Sequence, residues 1–371
     1  MNAAANVTPD EAELRRACNV VLPGHRQVTP ARLYADMGRW CEENAIEHDV
    51  YGDGELIASL ERKVAALLGM ESAVFCITGT MAQATALRLA CADRGSDLVA
   101  LHPTAHILKH ERGNHQLFGH FAALQVGSPH RPYTLEDVQA IPDRLGAVSL
   151  ELPAREIGGQ CPSWEELADI KAHCARAGVH LHMDGARLWE AATGYGRPLA
   201  EVAAGFDTVY VSLYKGIGGL GGAVLAGSHA FVERAREWYR RQGGNVIHRS
   251  PYVVAAAMQL DARLAAMPAY FRRTQWLFDA LRGYPLLRPN PATPHANMLH
   301  LHLPVARETA LAIRNRIAGE RHVWLHNQVH HAMLPDQSYT EWYVGDNLLD
   351  LPDATIHAVL STWHAALEAA Q

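Results

Sequence analysis

Apolar and polar positions along this chain switch between two periods, and the switches mark its elements. Residues 54–68 carry Leu56, Leu60, Val64 and Leu67 at helical spacing, and Val74-Phe75-Cys76-Ile77 then reads as a short buried strand. A turn, Thr78-Gly79-Thr80, opens a further run from Met81 to Leu87. Beyond it strand-like and helical stretches alternate: Leu98 to His102, Ala122 to Val126, Thr134 to Ala140, Ala147 to Leu152, Trp164 to Ala177, Val179 to Met183 and Thr208 to Ser212. That alternation predicts an α/β fold, a mostly parallel sheet with helices on both faces. Ligands of such sheets bind beyond the carboxyl ends of the strands, where Thr78, Asp184 and Lys215 all fall.

Two helical runs follow, Ser228 to Gln242 and Pro251 to Ala266, joined through Gly243-Gly244-Asn245. The remainder has its own strand pattern, Asn297 to His302, and a last helix near Ala354 to Ala369. A chain of 371 residues exceeds the usual size of one hydrophobic core. The expected division is an N-terminal helical segment over 1–50 (helices Pro9 to Ala17 and Pro30 to Glu43), a large domain over 51–266 and a smaller C-terminal α/β domain over 267–371.

Composition narrows the function. The formal net charge is −6 and the basic residues are scattered, which leaves no footprint for nucleic acid or an anionic membrane. Nowhere do about eighteen apolar residues run uninterrupted. The six cysteines (Cys18, Cys41, Cys76, Cys91, Cys161, Cys174) lie far apart without C-x-x-C spacing, as reduced thiols do. The expectation is small-molecule chemistry in a cytoplasmic protein.

Lys215 closes the alternating run Thr208 to Tyr214 and precedes Gly216, Gly218, Gly219, Gly221 and Gly222, a loop where backbone must pass close to something. Asp184 closes the strand pattern Val179 to Met183. A lysine and an acid at neighbouring strand ends suit pyridoxal phosphate, which takes a lysine amine as a Schiff base and a carboxylate against its ring nitrogen. Thr78-Gly79-Thr80, between strand and helix, offers hydroxyls and free N–H groups to a phosphate. Each has a plainer reading: Asp184 as an N-cap, Thr78 as a cap, Arg187 as the pair of Asp184 or Glu190. Ser212-Leu213-Tyr214-Lys215 also matches the S-x-x-K of penicillin-binding serine hydrolases, but there the motif opens a helix, whereas here it closes a strand. His326 and His330, with His322 and His331 nearby, are spaced i, i+4 but lack a carboxylate at ligand spacing, so no metal is expected.

Six segments in order resemble the low-specificity threonine aldolases, of the β-eliminating lyase group of fold type I pyridoxal phosphate enzymes. They are Asp49-Val50-Tyr51-Gly52-Asp53, Thr78-Gly79-Thr80-Met81-Ala82, Ala105-His106-Ile107 with Glu111, Leu181 to Trp189, Ser212 to Gly216, and Gly221 to Ser228. The resemblance implies a homotetramer of tight dimers with shared active sites. It assigns Lys215 the covalent bond to the cofactor, Asp184 the ring nitrogen, Arg187 the phenolate side, and Gly79 and Thr80, beside Thr78, the phosphate. Ser212 falls in the same cofactor-binding segment, and His106 matches the imidazole stacked on the ring. Arg249 resembles an arginine reaching the neighbouring subunit's phosphate, with Arg240 and Arg241 as alternatives.

Two departures stand out. The family's E-N-T-H-N segment reads Glu151-Leu152-Pro153-Ala154-Arg155-Glu156 here, so Glu156 or a nearby histidine must supply the base for the substrate hydroxyl. The family's late arginine, which holds the substrate carboxylate, is replaced near Glu341 by acid, leaving Arg155, His25 or Arg321 as substitutes. The expected reaction is retro-aldol cleavage of a β-hydroxy-α-amino acid to glycine, or a related amine, and an aldehyde. The alternatives are β-elimination or another lyase reaction on a different amino substrate, and a non-catalytic cofactor-binding relative.

Overall fold

The computed structural model describes residues 9–371. Its largest sheet has seven strands: β1 (Ser72–Cys76), β2 (Leu98–Leu101), β3 (Ala122–Gln125), β4 (Ala147–Glu151), β5 (His180–Gly185), β6 (Thr208–Ser212) and β7 (Ala223–Gly227), in the spatial order β1-β7-β6-β5-β4-β2-β3. The pairs from β6 through β5, β4 and β2 to β3 are parallel, and β7 runs antiparallel to both β6 and β1. Because β1 opposes β7 and β7 opposes β6, β1 runs with the parallel set, and β7 alone is reversed. Strands β5, β6 and β7 are buried along their whole length, although β5 alternates polar and apolar residues and β6 carries Thr208 and Ser212 at its ends, so the polar members must find partners inside.

The helix Gly79–Arg94 starts directly after β1 and lies beneath the sheet with ten buried residues, Gln83 and Thr85 among them. Thr78 is its N-cap, accepting from the Met81 N–H at 3.2 Å. Ala82, Ala86 and Leu89 pack with Val74, Tyr210, Leu225 and Val232 in one core cluster. Small residues let the helix approach the strands closely enough to seat its N-terminus at their edge.

Contacts divide the chain into two compact units. The larger comprises Val28–Glu156 and Gln160–Met267, and the smaller the chain up to Gln27, Ile157–Gly159 and Pro268–Gln371. The expected segment 1–50 is therefore not one piece. Val20 and Val21 form a parallel pair with Val323 and Trp324, and Gly24 bridges Val344, tying that stretch to the C-terminal part. From Asp49 onward the chain is bonded into the larger unit instead, since Asp49 accepts from the Arg249 and Ser250 N–H groups. The helical run expected over Pro251 to Ala266 spans Ser250–Leu281, passing through Pro268 where the two units divide. Proline removes one N–H inside a helix, and this helix carries on through that gap.

The smaller unit holds an antiparallel sheet of β8 (Arg288–Asn290), β9 (Met298–Leu303), β10 (His330–His331) and β11 (Ser338–Tyr343), ordered β10-β11-β9-β8. Leu299, Leu301, Leu303 and Trp342 face its core with Trp363 and Leu360. The histidine run does not form the helical pair its spacing suggested. His326 is fully buried beside Trp363, whereas His330 lies in β10 and stacks on Tyr339 at 5.0 Å. Among the described residues no group of three or more histidine, cysteine or acidic side chains is placed to hold a metal, and no helix is long and apolar enough to cross a membrane.

Candidate active site

Six strands share one direction, so the residues at their carboxyl ends meet along one edge of the sheet: Thr78 and Gly79 after β1, His106 after β2, Glu151 in β4, Asp184 in β5, and Ser212 to Lys215 at β6. The register is explicit, with Glu151 opposite Asp184 and Asp184 opposite Tyr210. Apolar strands thus end in a row of polar groups.

Burial lowers the Lys215 amine to about 8, the Arg187 guanidinium pushes the same way, and Asp184 and Glu151 resist. An amine brought down toward neutrality is a carbonyl nucleophile. Asp184 is 4 % exposed; it accepts the Ala186 N–H at 3.1 Å on Oδ1 and the Gln83 amide on Oδ2. It lies inside β5, and the following helix, Leu188–Tyr195, has Arg187 as its N-cap, so the N-cap reading of Asp184 does not hold. Arg187 is buried and its Nε has no hydrogen-bond partner. A buried guanidinium N–H left unpaired costs stability, which fits a site awaiting an anionic oxygen.

His106 begins a short helix, His106–His110. Its N–H donates to Glu151 Oε1 at 3.0 Å and its Nδ1 lies 3.3 Å from Glu111 Oε1. Burial drives the His106 imidazole down to about 3 against the pull of Asp184, so the ring is neutral. Burial raises Glu111 to about 7; burial and the facing Asp184 raise Glu151 to about 8. One turn on, the His110 ring sits 5.1 Å from that of His106 and its Nε2 is 2.8 Å from Glu156 Oε1, with Arg155 Nη1 3.2 Å from the same oxygen.

Gly79 is required for space. A Cβ there would overlap the hydroxyl of Tyr210, whose ring is buried between the helix and the sheet. The glycines after Lys215 answer to the protein itself: a Cβ on Gly222 would come within 2.5 Å of the Phe75 ring, one on Gly221 within 3.0 Å of Tyr252, and one on Gly219 within 2.8 Å of the Leu213 carbonyl. The close approach read from the sequence is therefore to the protein's own core. Ser212 is fully buried, its hydroxyl accepting the Tyr214 N–H at 3.4 Å, which leaves a serine nucleophile no access to substrate.

Arg249 is organised separately. Its N–H and that of Ser250 donate to Asp49 Oδ1 at 2.7 Å each, its Nη2 donates to Asn245, and its guanidinium lies over Gly52, where a Cβ would come within 2.7 Å. Asp49 and Gly52 in the first matching segment thus serve as the seat of this arginine. Its hydrogen bonds do not join it to the Lys215 group. Of the substitutes named for the substrate carboxylate, Arg155 belongs to the larger unit and depresses the Lys215 amine; His25 faces Asp346 at 3.2 Å, and Arg321 is exposed at a helix end.

Sequence reasoning passed over Glu151, Gln83 and His182 as site residues. Their signal was present: each is a polar residue inside a strand or helix that the pattern places in the core, and such a residue, once buried, must find a partner.

The chain matches the β-eliminating lyase family over residues 33–304. It is 29 % identical to low-specificity L-threonine aldolase 1 of Arabidopsis thaliana over 283 residues, 73 % of this chain and 79 % of that protein. Among solved structures it superimposes with a TM-score of 0.89 on a protein of Listeria monocytogenes EGD-E provisionally described as an L-allo-threonine aldolase, at 33 % identity, covering 96 % of this chain and 99 % of the other. The same score is reached with a protein of Exiguobacterium sp. 255-15 provisionally described as an aromatic amino acid β-eliminating lyase/threonine aldolase, at 34 % identity, covering 95 % and 99 %. The expected fold type I architecture holds. A family match across most of the chain, on a fold that lines up the expected residues at one sheet edge, makes this protein a member of the β-eliminating lyase family.

Proposed function

We propose that this chain is a pyridoxal phosphate-dependent lyase that cleaves the Cα–Cβ bond of a β-hydroxy-α-amino acid, giving glycine or a related amine and an aldehyde. The observation carrying the reading is the Lys215 amine, depressed to about 8 by burial and Arg187, on the edge where Asp184 stands just before Gly185, the last residue of β5. Bound there, the cofactor supplies an electron sink for the pair released at Cα. Lys215 would hold it through its amine. Asp184 would face the ring nitrogen, Arg187 the phenolate oxygen, and Thr78, Gly79 and Thr80 would offer the helix N-terminus and hydroxyls to the phosphate. Neutral His106 would lie beside the ring, Ser212 would lie in the same segment as Lys215, and Arg249 would serve a phosphate across a homotetramer's subunit interface in the cytoplasm.

The remaining roles fall to residues this chain has in place of the family's. Glu156, hydrogen-bonded to His110, takes the proton of the β-hydroxyl. Arg155, close enough to lower the Lys215 amine, holds the substrate carboxylate. Arg155→Leu is then expected to raise KM by roughly tenfold or more with kcat much less affected, since the lost contact is equal in ground and transition states. Steady-state kinetics showing an unchanged KM would remove Arg155 from this role.

The missing histidine of the E-N-T-H-N segment favours a second reading, β-elimination on another amino substrate. Product analysis separates the two. Glycine and an aldehyde in equal amounts from a panel of β-hydroxy amino acids support cleavage, and a keto acid with ammonia supports elimination.

A further inference from the structure

Asp184 is continued into the interior by an unbroken line of hydrogen bonds. Gln83 Nε2 donates to Asp184 Oδ2; Gln83 Oε1 is 3.0 Å from His182 Nε2; His182 Nδ1 is 2.8 Å from Thr208 Oγ1; and the same hydroxyl is 2.8 Å from His180 Nε2. Gln83, His182 and Thr208 are at most 1 % exposed. His182 and Thr208 are cross-strand partners on β5 and β6, and Gln83 reaches them from the helix Gly79–Arg94, so the line is fixed by the two layers that form the site.

Its direction follows from the chemistry of each group. A carboxylate only accepts, so Gln83 turns its NH₂ to Asp184 and its carbonyl to His182. A carbonyl only accepts, so the ring hydrogen of His182 is on Nε2. Burial drives this imidazole down to about 3, so it carries that one hydrogen and its Nδ1 accepts from the Thr208 hydroxyl. The hydroxyl hydrogen being used, its oxygen accepts from His180 Nε2. Every donor in the line points toward Asp184.

We propose that Thr208, His182 and Gln83 are positioning residues, a one-way donor chain that holds Asp184 as an anion aimed at the cofactor's ring nitrogen. The inference rests on the role given to Asp184 above. The chain has a second polarity. With an amide at position 184, Oδ1 retains the Ala186 N–H and Nδ2 donates to Gln83 Oε1; Gln83 then presents NH₂ to His182 Nε2, and the ring hydrogen moves to Nδ1. One atom of residue 184 thereby sets the tautomer of His182.

Nitrogen-15 spectra of the full-length holoenzyme labelled in histidine, with the His182 signal assigned by its loss in His182→Phe, read this directly. The expected result is the Nε2–H tautomer in the wild type and the Nδ1–H tautomer in Asp184→Asn. An Nδ1–H wild type, or a tautomer unmoved by the substitution, overturns the chain. Thr208→Val, which keeps shape and removes the hydroxyl, is expected to raise the dissociation constant for pyridoxal phosphate about tenfold and to shift the absorbance of the bound cofactor. His182→Gln, able to donate and accept at the same two ends, is expected to restore most of the affinity lost in His182→Phe. An unchanged constant and spectrum in Thr208→Val overturn the positioning role. Unchanged cofactor absorbance in Asp184→Asn overturns the underlying assignment of Asp184, and the tautomer readout is independent of that assignment.

Discussion

Replacement of Lys215 by alanine is expected to lower kcat/KM by roughly 10⁴-fold or more and to leave the purified protein without the yellow band of bound pyridoxal phosphate. The side chain is an amine at the sheet edge whose basicity burial and a neighbouring guanidinium reduce to about 8. Its removal takes away both the covalent attachment and the group that exchanges with substrate. Ser212→Ala is expected to keep the colour, because that hydroxyl accepts the Tyr214 N–H within the turn and supplies no covalent attachment. The same amine sets a pH dependence. In the folded protein it lies below the ordinary lysine value of 10.5, so the reactive neutral form grows as pH rises through about 8. Wild-type protein stripped of cofactor should regain colour about tenfold faster near pH 9 than near pH 7. A flat rate across that range, or a yellow Lys215→Ala protein, would sink the assignment of this residue.

Asp184→Asn is expected to cost roughly 10²- to 10³-fold in kcat with the fold retained, the size of effect seen when one preorganised polar partner of a reacting group is removed. The substitution conserves shape and the contact to the Ala186 N–H, but not the charge. Without the anion the ring nitrogen loses its reason to stay protonated, and the electron sink weakens. Circular dichroism and thermal melting should match the wild type while turnover falls. Equal turnover would mean that the carboxylate serves the fold and not the chemistry.

Much of this was legible because the chemistry interrupts strong patterns. Asp184 and Lys215 each follow a strand-like run near a strand end, although the alternation in those runs does not announce that both faces are buried. Thr78 was legible as a cap and a phosphate seat at once, since both readings need the same free N–H groups. What stayed hidden depends on partners remote in sequence. Gln83 and His182 are 99 positions apart, and nothing local in either segment states that one faces the other. The glycines after Lys215 suggested a ligand nearby, but Phe75, Tyr252 and the Leu213 carbonyl occupy that space. The helical run read as Pro251 to Ala266 continues through Pro268 to Leu281, and the i, i+4 spacing of His326 and His330 spans a loop and a strand, where that spacing has no meaning.

The single reversed strand also sets when the site comes into being. β1 lies at the edge of the sheet with β7 beside it, Val74 opposite Leu225, so the strand that leads into Thr78 and Gly79 is paired across the start and the far end of the larger unit. Contacts so distant along the chain form late and slow folding. The β1–β7 pair forms only after residue 227 is made, later in synthesis than Asp184 and Lys215, so the edge that carries Thr78 closes after the strand ends it stands beside are already present.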